Sequence, residues 1–345
     1  MTLDTLRGKV MFARFFTIIG LSFAVALSSG VASAKKVKVK MGTVAPEGTP
    51  WEQQAKEIAK KVTKASAGRI KYKFYWGGAK GDEQAILKKV IKNKLQMSGI
   101  STAALGTVIP ELDVLDLPFL WDSAEEADFV LDNHLTKFVE GLMEAQGLVL
   151  YQWAENGWQG MGSTDKAVKS PGDMGGVKVR SQDSPVHTGL WKALGSAPVV
   201  MEISEVQGKL EKGEITVAAQ TPLYTFAAGW QAFVKHYTLT RHVYQTALIM
   251  YSKKFFDAQE PDIKSALMTE RQEGASLGRK LVRQLEPQLI GNFTSYGIEV
   301  VKLSDAERAA FKKATAGVRA EYEKQATAKA RELLKLVDKG KAAYK

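Results

Sequence analysis

Ser170-Pro-Gly-Asp-Met-Gly-Gly-Val-Lys-Val-Arg-Ser-Gln-Asp-Ser-Pro-Val-His-Thr-Gly-Leu190 is the stretch from which the fold is read. Val177, Val179 and Ser181 alternate with Lys178 and Arg180, the two-residue period of a half-buried strand. Ser184 before Pro185 marks a helix start, with a hydroxyl at the N-cap and proline at the first helical position. This strand-to-helix step sets the Arg180 cation beside free helix N–H groups that favour anions. A guanidinium is a rigid, always-charged fork that fits a carboxylate bidentately. In isolation such an arginine is more often half of a surface ion pair. The surrounding chain decides between the two.

Upstream, Lys36-Val-Lys-Val-Lys-Met-Gly42 alternates strictly and predicts a strand with Val37, Val39 and Met41 buried. Thr49-Pro-Trp-Glu52 has the form of a capping box opening a helix to about Ser66. Strands follow at 70–76 and 95–101, with a helix over 82–93 between them. Ser123-Ala-Glu-Glu126 caps helices at 124–132 and 135–145, and 148–153 reads as a strand. After 177–181 the pattern resumes: helix 185–194, strand 198–201, a short helix closed by Gly213, strand 215–220, and a helix from Thr221-Pro222. A strand at 243–252, a helical stretch interrupted near Pro287, a strand at 297–302 and a charged amphipathic helix from Ser304 to about Lys335 complete the chain. Alternating strands and helices define an α/β protein with largely parallel sheets.

Two successive α/β units without a proline- or serine-rich linker predict two lobes joined by strands or helices that cross between them. We assign residues 35–153 plus 243–285 to lobe one. Residues 154–242 plus 286–345, with the C-terminal helix, go to lobe two. Residues 1–34 read as an export signal: Arg7, Lys9 and Arg14 precede an apolar run from Phe15 to Leu27, and Ala32-Ser-Ala34 fits a cleavage site after Ala34. The expected location is the periplasm.

Of 345 residues, 45% are hydrophobic and 25% charged, the balance of an ordinary globular protein. The absence of cysteine excludes thiolate metal sites, disulfides and thiol nucleophiles. Formal charge is +11, of which residues 1–34 supply +2. The lysines are spread along helices without an arginine-rich block, a pattern of solvated faces with a mild steering effect on anions.

Enzyme signatures are missing: no His-Glu-x-x-His, Walker loop, Gly-x-Ser-x-Gly or Gly-x-Gly-x-x-Gly occurs. His134, His187, His236 and His242 show no metal-ligand spacing and read as surface or packing residues. Asp183, Ser184 and His187 are triad types, but neighbours this close do not form triad geometry. Lys71 to Trp76 interleaves basic and aromatic residues, yet a half-buried strand does the same, and an export signal argues against nucleic acid as partner. Recognition of a small anion remains. Helices opened by proline after Thr49, Ser184 and Thr221 would converge beyond the strand ends, with Trp153, Trp158, Trp191 and Tyr224 as apolar walls.

The chain resembles the solute-binding subunits of tripartite ATP-independent periplasmic (TRAP) transporters over about Lys36 to Lys335. The likeness is carried by Pro46-Glu-Gly-Thr-Pro-Trp51, Ala67-Gly-Arg-Ile70, Ile109-Pro-Glu-Leu-Asp-Val-Leu-Asp-Leu-Pro-Phe-Leu120, Gly176-Val-Lys-Val-Arg180, Ser184-Pro-Val186, Lys192-Ala-Leu-Gly-Ser-Ala-Pro198 and Ser204-Glu-Val206. It implies a periplasmic binding protein-like fold, with two α/β lobes, a ligand cleft between them, and hinge strands and a helix crossing. It also implies that Arg180 clamps the carboxylate of an organic acid as the lobes close, and that the loaded receptor docks on a membrane permease.

Two departures bear on the ligand. Many members carry a second arginine where Asn156-Gly-Trp-Gln159 places Gln159, and their acidic–Asn–Pro segment is Ala219-Gln-Thr-Pro222 here. Dicarboxylates and sialic-acid-like ligands are thereby disfavoured, and a monocarboxylate with an apolar, aromatic or keto-acid body is expected. Arg180 is the expected anchor, supported by Trp158, Gln159, Gln220 and Thr221, with Trp51 and Glu83 on lobe one. No cofactor is expected. The segment from Gly81-Asp-Glu-Gln84 through Gly99-Ile-Ser101 resembles a subgroup some of whose members hold a cation beside the acid, but no metal ligands can be assigned. The runner-up readings are the receptor of an ATP-driven importer and a periplasmic enzyme on this scaffold. The long C-terminal helix leaves monomer and homodimer both open.

Overall fold

Alternation along Val37–Gly42 folds as its chemistry dictates: Val39 and Met41 are buried while Lys38 is exposed. The computed structural model describes residues 36–345, so the export signal expected over 1–34 lies outside the described residues. Eleven strands occur among them. In chain order they are β1 Val37–Gly42, β2 Ile70–Tyr75, β3 Met97–Ser101, β4 Leu148–Trp158, β5 Gly160–Ser163, β6 Lys178–Ser181, β7 Ala197–Val200, β8 Val217–Gln220, β9 His236–Thr238, β10 Tyr244–Ser252 and β11 Glu299–Val301.

Two sheets form, in the orders β2-β1-β3-β10-β4 and β11-β9-β5-β8-β6-β7. In the first, β1 is parallel to β2 and β3, and β10 is antiparallel to β3 and β4. In the second, β6 is parallel to β7 and β8, and β5 is antiparallel to β8 and β9. The helices Pro50–Ala65 and Glu83–Ile91 return the chain between the parallel strands of the first sheet. Ala55, Ile58 and Val62 of the first of these pack with Val39, Met41 and Ile70 in one apolar core. Each fully buried side chain of this kind contributes about 1.5–3 kcal/mol.

The lobes are joined where β4 ends at Trp158 and β5 begins at Gly160. Gln159 is the crossing residue, and its N–H donates to the Val243 carbonyl at 2.9 Å on the return crossing between β9 and β10. Only glycine fits at 160. A Cβ there would lie 2.6 Å from the Tyr237 ring and 2.7 Å from the Thr238 carbonyl oxygen. A third crossing is the helix Arg271–Ser295, which lies along β4 and packs Phe293 against Tyr237 of the second sheet, ring centroids 4.2 Å apart.

These crossings shift two sequence-based boundaries. The strand expected over 148–153 runs five residues further in the first sheet, because Ala154, Glu155, Gly157 and Trp158 continue the pairing with β10. Lobe one therefore extends past residue 153. The C-terminal helix expected from Ser304 to about Lys335 is three helices, Asp305–Ala314, Gly317–Gln325 and Ala328–Tyr344. In the last, Ala330, Leu333, Leu334 and Val337 join Leu112, Val114, Ala127 and Val130 in a core that also takes in Val186, Val318 and Tyr322.

Local signals met mixed outcomes. Ser123 Oγ accepts from Glu126 N–H at 3.0 Å, the expected cap. Thr49 does not cap; its hydroxyl donates to the Pro46 carbonyl, and Glu52 accepts instead from Gly48 N–H at 2.6 Å. The helices expected at 124–132 and 135–145 are one continuous run with a π turn at Leu131–Leu135, and Arg271–Ser295 passes through Pro287 unbroken.

Candidate functional site

The strand ends named from sequence do converge. Ser101 closes β3, Arg180 is next to last in β6, and Gln220 closes β8. β10 is antiparallel to β3, with Ala247 opposite Ser101, so Gln245 lies just beyond the β3 carboxyl end. Ligands of open α/β sheets bind in such crevices. Two adjoining cavities occupy it, of about 300 Å³ and about 40 Å³, and Glu83, Ile203 and Gln245 line both.

Arg180 lines the larger cavity. Val179 turns into the second-lobe core, and the alternation of β6 sends Arg180 to the other face. Its side chain is only 8% exposed, Nη2 donates to the Met201 carbonyl at 3.4 Å, and Nε has no partner. Among the described residues, no carboxylate lies within 4.0 Å of the guanidinium. Burial pushes its pKa down to about 10, against the pull of Glu83, Tyr224 and Glu202. A buried cation without a partner is costly, and an incoming anion relieves that cost.

Glu83 comes from lobe one, in the first turn of the helix Glu83–Ile91, whose N-cap Asp82 accepts from Ala85 N–H at 2.7 Å. Its two oxygens accept from the N–H and the hydroxyl of Ser101, each at 2.7 Å. Burial pushes the Glu83 carboxyl up from its ordinary range, while Ser101 and the Arg180 charge pull it back.

Trp51 and Asn156 line the smaller cavity, and Trp51 Nε1 donates to Asn156 Oδ1 at 2.9 Å. The edge of the indole abuts Gly99, where a Cβ would lie 2.3 Å from Trp51 Cζ3. Asn156 falls at a β-bulge, since Thr246 pairs with Glu155 while Gln245 pairs with Gly157. Such bulges re-aim one side chain. Gln220 and Thr221 line the same cavity with Tyr224. Gln220 Oε1 accepts from Thr221 N–H at 2.8 Å, and Thr221 Oγ1 caps the helix Pro222–Ala227 by accepting from Tyr224 N–H at 3.3 Å. Tyr237 fixes this corner by donating to the Gln220 carbonyl at 2.6 Å.

Five of the seven residues chosen from sequence thus line the cleft: Arg180, Gln220, Thr221, Trp51 and Glu83. Trp158 and Gln159 do not. Trp158 packs on Tyr244, ring centroids 5.1 Å apart, within the first-lobe core, and Gln159 is buried at the crossing. Trp153 and Trp191 are core residues as well. Sequence reasoning missed Asn156, Gln245 and Ser101. Bulge and register place them, and neither has a local signature.

Behind Arg180 lie further buried groups. Burial pushes His187 down to about 3, helped by the Arg180 and His242 charges, and pushes His242 down to about 3. Burial pushes Asp113 up to about 7. Ser184 stands at its N-cap position, but its hydroxyl makes no cap bond. A more voluminous concavity, about 1090 Å³, lies elsewhere, between the helices Pro50–Ala65 and Arg271–Ser295. Lys56, Lys60, Lys61, Glu57, Glu270 and Glu273 line it, a solvated face without an unpaired buried charge. Among the described residues, no group of three or more His, Asp or Glu could hold a metal ion, and no helix is long and apolar enough to cross a membrane.

Two α/β lobes, strand and helix crossings and a buried arginine without an ion-pair partner in the crevice fit a two-lobed solute-binding protein. The model of the bacterial extracellular solute-binding proteins, family 7, matches residues 41–325, and the chain belongs to that family, the receptors of TRAP transporters. A solute-binding protein of Verminephrobacter eiseniae (strain EF01-2) is 30% identical over 78% of this chain and 79% of its own length. The 2,3-diketo-L-gulonate-binding periplasmic protein YiaO of Escherichia coli (strain K12) is 28% identical over 74% of this chain and 78% of its own. In fold, the chain matches the sugar acid binding protein of Advenella mimigardefordensis strain DPN7T, solved with galactonate, with a TM-score of 0.84 at 24% identity. That match covers 89% of this chain and 99% of the other. The family favours a TRAP receptor over the receptor of an ATP-driven importer.

Proposed function

We propose that this protein is a periplasmic receptor that captures a small hydroxylated monocarboxylate between its lobes and delivers it to a TRAP-type membrane permease. The observation that carries the reading is Arg180: a buried guanidinium, lining the interlobe cavity, with no carboxylate in ion-pair reach. It is also the only cation lining either cavity among the described residues, which suits one carboxylate rather than two. Closure would desolvate the charge pair and strengthen it, so the acid selects the closed state.

The body of the ligand follows from the rest of the lining. Asn156, Gln220, Thr221, Gln245, Ser101 and Tyr224 offer amides and hydroxyls, while Trp51 supplies one flat apolar wall. With Trp158 withdrawn into the core, an aromatic acid loses the support that the sequence suggested. Amides and hydroxyls pair with hydroxyls and carbonyls, the chemistry of sugar acids such as those named for the YiaO and Advenella proteins.

A receptor returns its ligand unchanged, and we read this protein as a receptor rather than an enzyme. A thermal-shift screen of small organic acids, followed by calorimetry and mass spectrometry of the released ligand, tests both statements. Stabilisation by hydroxy acids recovered intact supports them. A ligand without a carboxylate, or one recovered chemically altered, would overturn them.

A further inference from the structure

The charge lining the larger cavity is opposite to that of the chain. Lysine and arginine number 48 against 37 acidic residues. Yet Glu83, Asp183, Glu202 and Glu205 line the cavity, and Arg180 is its only cation. None of these four carboxylates is within ion-pair reach of a lysine or arginine among the described residues. Many other carboxylates are so paired, such as Asp128 with Arg279 and Glu155 with Arg283. Glu205 has a structural reason for its place, since its carboxylate accepts from Glu202 N–H at 3.0 Å. Glu83 and Glu202 line this one cavity with Arg180, Glu83 from the first lobe and Glu202 from the second.

A plain anion entering this space gains Arg180 but meets a ring of like charge, which a field-focusing cleft makes worse. We infer that the natural ligand carries a cationic group as well as its carboxylate: an amino or amidino acid whose carboxylate meets Arg180 and whose cation meets Glu83, with Glu202 at the rim. The inference rests on the receptor reading above and refines its ligand class. Two independent features support it. Arg180 is more than nine-tenths buried, unpartnered at Nε and directed into the cavity, which calls for the carboxylate. The Glu83 carboxylate is held in place by both donors of Ser101 and lacks a cation of its own, which calls for the ammonium. Closure then brings like-charged faces together only when the ligand's cation lies between them, so an unloaded or wrongly loaded receptor is kept open by repulsion.

Matched pairs of probes test this by calorimetry on the exported chain: gluconate against 2-amino-2-deoxygluconate, and 4-hydroxybutyrate against 4-aminobutyrate. The amino member of at least one pair should bind roughly tenfold tighter or better, as expected where a like-charge contact becomes an attractive one. Glu83→Gln should lower the amino-over-hydroxy ratio about tenfold, and Glu202→Gln should lower it less. Using both variants keeps the test open should one fail to fold. Hydroxy acids that bind through Arg180, as shown by their loss in Arg180→Ala, with amino members no tighter, would overturn the zwitterion inference and leave the receptor reading standing. Binding of either series that survives Arg180→Ala would overturn both. Silence from both series would overturn the inference.

Discussion

Trp51 of lobe one donates its indole N–H to Asn156 Oδ1 at 2.9 Å, tying the first turn of the helix Pro50–Ala65 to the bulge of β4. The contact exists because residue 99 has no side chain: a Cβ there would lie 2.3 Å from the indole ring. Gly99→Ala should therefore push Trp51 out of the cleft floor, costing about 1–3 kcal/mol in stability as overpacking does. Ligand affinity should fall with it. Urea unfolding and calorimetry check the two effects, and an unchanged affinity would show that Trp51 is not part of the site.

A second prediction concerns the long crossing helix. Arg283 Nε donates to Glu155 Oε2 at 2.9 Å, and its Nη2 reaches Asp128 Oδ1 at 2.9 Å and Tyr244 OH at 3.0 Å. The Glu155 side chain is 2% exposed. Removing only the cation leaves that carboxylate buried and unpaired, so Arg283→Met should cost about 3–5 kcal/mol. The double variant Arg283→Met with Glu155→Gln should recover part of the loss. Denaturant midpoints of the single and double variants measure it.

Stability should also depend on pH through groups behind the site. His187 is pushed from 6.5 down to about 3, so it stays neutral in the fold while the unfolded chain takes up a proton below 6.5. Between those values the unfolded state binds more protons, and stability falls as pH falls. His187→Gln should remove that share of acid lability. Asp113 has the opposite sign. It is pushed from 3.8 up to about 7, the folded state holds the extra proton in that window, and stability is lost as pH rises through it. Asp113→Asn should gain stability relative to the native protein at about pH 8 but not at about pH 4. Urea unfolding at both values distinguishes the two slopes.

Strand and helix order was legible because alternation and capping are local. Val39 and Met41 against Lys38, and Val179 against Lys178, show their burial in the residues themselves, whereas Val37 is only half-buried and Arg180, on the polar side of the alternation, is buried. Arg180, Gln220 and Thr221 could be found because they end strands or begin helices. Trp158 and Gln159 were misplaced for a tertiary reason. The pairing of β4 with β10 persists to Trp158 and turns its ring onto Tyr244. Asn156 and Gln245 were invisible for a related one, since a register shift between strands far apart in sequence sets where they stand. The core that takes in the last helix could not be read from the sequence, because an amphipathic stripe shows that a helix packs, not on what.

Calorimetric titration of the tightest acid from the screen into the native and Arg180→Met proteins tests most directly whether Arg180 holds a carboxylate. Loss of a buried charge partner should weaken binding by about a hundredfold or more. An affinity within about twofold of native, in a folded Arg180→Met protein, would contradict the account.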